Sequence, residues 1–128
     1  MDIKKLIADT ENKNIEFKET LPNNSQKYIK TVVAFANGIG GKIIFGVSDD
    51  TRKIVGIEKE KAFKVVDAIT NAISDSCEPA IIPDIYLKTI DEKTLIIVEI
   101  DAERQRPYYL KSLGKENGTY VRIAGTTR

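Results

Sequence analysis

Residues Thr31 to Asp50 read TVVAFANGIGGKIIFGVSDD, and two different periodicities meet inside them. Ile29, Val32, Val33 and Ala36 fall at the three- and four-residue spacing of one helix face, which halts at Asn37-Gly38, residue types that tolerate the left-handed conformation of a C-cap. Gly40-Gly41 then turns the chain into Lys42 to Val47, mostly apolar and read as a strand. Upstream, Pro22 and Asn23-Asn24-Ser25 offer that helix an N-cap, and Ile15-Glu16-Phe17-Lys18 alternates like a brief strand after a short helix over Asp2 to Ala8. Downstream, Asp49-Asp50-Thr51-Arg52 makes a turn into Ile54 to Ile57, which predicts a hairpin.

Lys59 to Ser76 reads as a second long helix with Phe63, Val66, Ile69, Thr70 and Ile73 on one stripe, broken off by Pro79 and Pro83. Ile85 to Ile90 and Thr94 to Ile100 flank Asp91-Glu92-Lys93 as a second hairpin, and Tyr108 to Lys111 and Thr119 to Ile123 close the chain around a glycine-containing turn. The expected fold is α+β: a mainly antiparallel or mixed sheet with two principal helices covering one face. With no repeats or linkers, residues 1–128 read as one domain. Because the chain stops straight after a strand, at Ala124 to Arg128, truncation from a longer protein is expected.

Composition narrows the function more by exclusion than by motif. At 128 residues the chain can bury a core that needs no metal or disulfide. No apolar run approaches the roughly 20 residues of a membrane helix, and MDIKKLIADT has no apolar stretch of the signal-peptide kind, so a cytoplasmic protein with no membrane partner is expected. One cysteine, Cys77, cannot form an internal disulfide, and zero histidines exclude the usual zinc clusters and histidine-based triads.

The net charge of +1 conceals an uneven distribution. From Arg104 to Arg128 six basic residues stand against Glu116 alone, a net +5, whereas Val65 to Glu103 carries nine acidic residues against Lys88 and Lys93, a net −7. A basic end of this size suits polyanions, and it also suits a solvated surface whose charges happen to cluster. Lys18, Lys27 and Lys30 could join Arg104, Arg106, Lys111, Arg122 and Arg128 into one cationic face gripping phosphates, with Tyr108, Tyr109 or Tyr120 stacking on bases. Glu11, Glu16 and Asp49 or Asp50 form the one acidic group with the carboxylates a divalent cation needs, although Glu16 could equally face solvent and acids at Asp49-Asp50 are what a turn favours. Gly38, Gly40, Gly41 and Gly46 invite a phosphate-loop reading, but such a loop needs strand, glycines, helix and a Lys-Ser/Thr pair, whereas here a helix comes first and Ile43 follows Lys42. Cys77 reads as a small, partly buried residue with nothing nearby to activate it.

Asn14 to Glu19 (NIEFKE), the Thr31 to Asp50 stretch, Ile54 to Ile57 (IVGI) and Gly118 to Arg128 (GTYVRIAGTTR) together resemble the Schlafen-type Alba-like domain, in order and over nearly the whole chain. Ala34-Phe35-Ala36-Asn37 with Gly40-Gly41 is the most specific part. The resemblance implies a DNA-binding module at the front of a prokaryotic transcriptional regulator, with winged-helix or ATPase-like segments following. Some members of the family carry an ATP-binding label, for which this chain shows no phosphate loop. In animal members, related domains cleave structured RNA with three acids, to which Glu11, Glu16 and Asp49 would correspond, and they do so with two copies of the unit.

The expected function is therefore a nucleic-acid-binding module, with DNA preferred to RNA, no required cofactor and no catalysis of its own. The alternatives are a metal-dependent endoribonuclease using Glu11, Glu16 and Asp49 with magnesium or manganese, for which a homodimer would supply the second copy, and a protein–protein adaptor.

Overall fold

Strand side chains alternate between the two faces of a sheet, and the apolar run after Gly41 is long enough to use both. The computed structural model describes residues 3–8 and 14–128. In chain order the elements are α1 (Ile3–Ala8), β1 (Ile15–Lys18), α2 (Gln26–Asn37), β2 (Gly41–Phe45), α3 (Ala62–Ser76), β3 (Cys77–Glu78), β4 (Asp84–Ile90), β5 (Lys93–Ile100), β6 (Tyr109–Leu110), α4 (Gly114–Gly118), β7 (Arg122–Ile123) and β8 (Thr126–Thr127). β1, β2, β5 and β4 form one sheet in that spatial order; β1 runs parallel to β2 and the remaining pairs are antiparallel. The fold is α+β with a mixed sheet, as the sequence led us to expect.

Ile43 and Phe45 of β2 point the same way as Ile96, Val98 and Ile100 of β5, into a core closed by α2 and α3 through Ile29, Val32, Val33, Ile69 and Ile73. Ile44 points the other way with Leu95 and Ile97, where α1 covers them with Ile3 and Ile7, and Ile15 and Phe17 of β1 join this second core. Both faces of the central strands are thus covered, which is why they read as continuous apolar runs rather than as alternating ones.

Four expectations change in detail. Ile54 to Ile57 is not a strand: it touches the sheet through single bridges, Val47 to Ile54 and Ile57 to Thr94. Gly56 there has a φ of +83°, and the N–H groups of Val55 and Gly56 both donate to the Gly46 carbonyl at 2.8 Å, so the backbone curls instead of extending. The second helix starts with a 3-10 turn at Lys59–Lys61 before α3. Within α3, Ala62, Ile69 and Ile73 are buried while Phe63, placed on the predicted stripe but about 120° round the helix from Ile69, is 73% exposed. The turn after β6 contains a short helix, α4, and the last residues return as the β7–β8 hairpin around Ala124-Gly125. At the end of α2 it is Gly40, not Asn37 or Gly38, that takes the left-handed conformation, with a φ of +87°.

Asn37 instead ties the tail to α2. Its amide donates to the carbonyls of Tyr108 (3.0 Å) and Tyr120 (2.9 Å), and its oxygen accepts the Tyr108 N–H (2.7 Å). Among the described residues no helix is long and apolar enough to cross a membrane.

Candidate functional site

β1 lies at the edge of the sheet, and its alternation sends Ile15 and Phe17 to the α1 side and Glu16 and Lys18 to the α2 side. α2 meets them with Lys27, Lys30 and Thr31, three residues within one turn and a half. The turn after β2 contributes Asp49, and the β7–β8 hairpin closes the rim with Gly125, Thr126 and Thr127. These residues line an open cleft of about 450 Å³. Residues separated by more than a hundred positions in the sequence therefore meet in one concavity.

Glu16 is the anchor of this arrangement. Its Oε1 accepts from the Arg122 guanidinium at 2.9 Å, and its Oε2 accepts from the Thr31 hydroxyl at 2.9 Å, with the Lys18 ammonium 3.8 Å away. Arg122 also donates to the Thr127 hydroxyl (2.9 Å) and the Ile15 carbonyl (3.2 Å) and lies over the Phe35 ring, its guanidinium carbon 5.2 Å from the ring centre. The Thr31 and Thr127 hydroxyls are 2.9 Å apart. Since Thr31 gives its one hydroxyl proton to Glu16, the bond between the threonines runs from Thr127 to Thr31. A closed ring results, in which Arg122 donates to Glu16 directly and, by way of Thr127 and then Thr31, a relay of donors reaches the other Glu16 oxygen.

The free charge of the cleft comes from the helix. Lys27 and Lys30 are exposed, and among the described residues neither stands in an ion pair. Asp49 is exposed on the opposite side, and its carbonyl accepts from Arg52 Nε at 3.1 Å. Arg52 in turn lies over the Phe17 ring at 4.2 Å, and Phe17 itself is buried in the α1-side core.

Of the eight cations expected to form one face, the structure gathers three. Lys18, Lys27 and Lys30 share the cleft. Arg122 does not offer itself to solvent: its side chain is 6% exposed and its charge is neutralised by Glu16, which corrects the expectation that it would grip phosphate. Arg104 and Arg106 sit at the far end of α2, where Arg106 donates to the Gly38 carbonyl (3.2 Å), beside the acids Asp101 and Glu103. Lys111 lies next to the end of α3, its N–H on the Ser76 carbonyl, and Arg128 pairs with Val121 across the terminal hairpin. Tyr108 is buried, its hydroxyl accepting the Gln105 N–H, so it cannot stack on a base. Of the acids, Glu16 and Asp49 line the same cleft, whereas Glu11 lies outside the described residues; among those described, no three Cys, Asp or Glu side chains are placed to share a metal ion. The residues that sequence reasoning missed are the threonines. Thr31 left a signal, being a hydroxyl at the head of the apolar run Val32 to Ala36 and on the helix between Lys27 and the buried Phe35.

The model for the Schlafen, AlbA_2 family matches residues 11–128. The chain belongs to that family. It is 36% identical over 77 residues to an uncharacterized ATP-binding protein of Ureaplasma parvum, a match that takes in 59% of this chain and only 22% of the relative's length. The N-terminal domain of a RecG-related protein from Nitrosomonas europaea, named for an ATP-dependent DNA helicase, superposes with a TM-score of 0.74 at 26% identity, over 98% of this chain and 88% of that one. A Corynebacterium diphtheriae protein shares the fold at a TM-score of 0.69 and 20% identity, over 98% of this chain and 25% of its own.

The glycines of this Schlafen, AlbA_2 chain have packing reasons. A Cβ at Gly40 would meet the Ile100 carbonyl oxygen at 2.6 Å, and one at Gly41 would meet the Asn14 carbonyl oxygen and the Phe35 ring at the same distance. Cys77 is buried at the end of α3, and burial pushes its thiol up to about 12 against the smaller opposing effect of Lys111.

Proposed function

We propose that this domain is a nucleic-acid-binding module that holds a phosphate backbone, DNA in the first place, in the cleft lined by Lys18, Lys27 and Lys30. The observation that carries the reading is the convergence of those three lysines, from two elements, on one concavity in which Lys27 and Lys30 stand in no ion pair among the described residues. Lysine ammoniums bind phosphates as point charges without regard to sequence. Phe17, the aromatic residue among those lining the cleft, is buried, which favours backbone contact over stacking on a base. The Nitrosomonas relative named for a DNA helicase points to the same class of partner. Within a longer chain such a module would serve a transcriptional regulator as its DNA-holding part.

The test is a titration of fluorescein-labelled duplex DNA at two ionic strengths. Affinity should fall with salt by about 0.9 log unit per log unit of salt for each phosphate neutralised, and Lys27→Ala with Lys30→Ala should lower that slope by about 1 for each lysine removed. Binding that is absent at low salt, or indifferent to salt, would reject the reading.

Glu16 and Asp49 share the cleft, which keeps a second reading open: metal-dependent cleavage of structured RNA, with magnesium or manganese activating a water. Incubating a folded tRNA with the chain and manganese tests it; intact RNA, or cleavage that survives Asp49→Ala, counts against it.

A further inference from the structure

We propose that Glu16 is a positioning residue, the latch that holds the β7–β8 hairpin in place as a wall of the cleft. This rests on the reading of the cleft as an anion site and adds to it how that site is assembled. The hairpin is short, two residues per strand, and isolated two-stranded hairpins are marginal in water. Its side facing the molecule carries Arg122 and Thr127, opposite each other across the hairpin, and both enter the bonded ring that ends on the Glu16 carboxylate. Its other side carries Val121 and Ile123, which are 42% and 50% exposed and lie outside both hydrophobic cores. The bonds of Arg122 and Thr127 therefore carry much of the seating of this wall, and the wall supplies Gly125, Thr126 and Thr127 to the cleft.

The inference makes a prediction whose sign runs against simple electrostatics. Removing a negative charge from a site that binds a polyanion should strengthen binding. Asp49→Asn makes that change in the same cleft without touching the ring, and duplex DNA should bind as well or better. Glu16→Gln removes the same charge, but the amide nitrogen that replaces one carboxylate oxygen cannot accept from Arg122 or Thr31; the wall loosens and duplex should bind more weakly. The direct readout is amide hydrogen exchange at Val121 and Arg128, whose N–H groups each donate to the other's carbonyl at 2.9 Å. In Glu16→Gln both amides should exchange about tenfold faster or more, while those of β2 and β5 stay protected and show the fold intact. Thr127→Val interrupts the ring with no change of charge and should move the same two amides in the same direction.

Unchanged exchange at Val121 and Arg128 in Glu16→Gln and in Thr127→Val overturns the latch, whatever happens to DNA. Faster exchange with duplex binding that holds or strengthens overturns the hairpin's role as a wall. If the unaltered chain binds no duplex at all, the anion-site reading falls, and the exchange measurement still decides the latch.

Discussion

A methyl group on Gly41 would lie 2.6 Å from the Asn14 carbonyl oxygen and 2.6 Å from the buried Phe35 ring, so making room for it means moving the start of β1 or the end of α2. Overpacking of this kind costs about 1–3 kcal/mol, so Gly41→Ala should lower the urea midpoint without altering the slope of the transition. The same residue offered to a phosphate would require that space to be open. Cys77 gives a second prediction at this scale. Its thiol is held protonated by burial up to about 12, against an ordinary value of 9.0. The unfolded chain releases that proton first, so the folded state binds more protons above pH 9.0. Stability is whole below pH 9.0 and falls as the pH rises toward about 12, by at most about 1.4 kcal/mol per pH unit. Melting temperatures of the chain and of Cys77→Ala should converge in shape below pH 9.0 and diverge above it, and iodoacetamide should leave the folded chain unlabelled at neutral pH.

Among the elements, α3 best separates pattern from packing. Phe63, Val66, Ile69, Thr70 and Ile73 fit a broad helix face on paper, yet Phe63 stands about 120° round α3 from Ile69, and the face that meets the sheet is the narrower one through Ala62, Ile69 and Ile73. Ile69 is fully buried and Phe63 is not. Ile69→Ala should therefore cost about 2–5 kcal/mol, and Phe63→Ser should stay within about 0.5 kcal/mol, both read from chemical denaturation. α2 shows the opposite case: Ile29, Val32, Val33 and Ala36 were legible as its buried face because Asn23 to Ser25 and Gly38 to Gly41 mark both of its ends. β4 and β5 were equally legible, and their turn at Asp91-Glu92, with φ values of +49° and +65°, has the twist that suits a tight hairpin.

At the scale of the whole molecule, the cations divide between the two ends of α2, a 12-residue helix about 18 Å long. Lys27 and Lys30 stand at its start beside the cleft, whereas Arg104 and Arg106 stand past its end among Asp101 and Glu103. Paired replacement of Lys27 and Lys30 by alanine should weaken duplex binding several-fold more than paired replacement of Arg104 and Arg106, measured side by side at low salt. The chain alone determined the α+β class, the sheet's central strands, both long helices and the exclusion of histidine chemistry, because these follow from local periodicity, end signals and composition. It could not say which of its charges are free. Lys30 and Arg122 read alike as cations in the sequence, but one projects from a helix into solvent and the other turns under a hairpin onto Glu16, 106 residues away. Pairing over such a distance depends on which strands become neighbours in space, and only tertiary packing decides that.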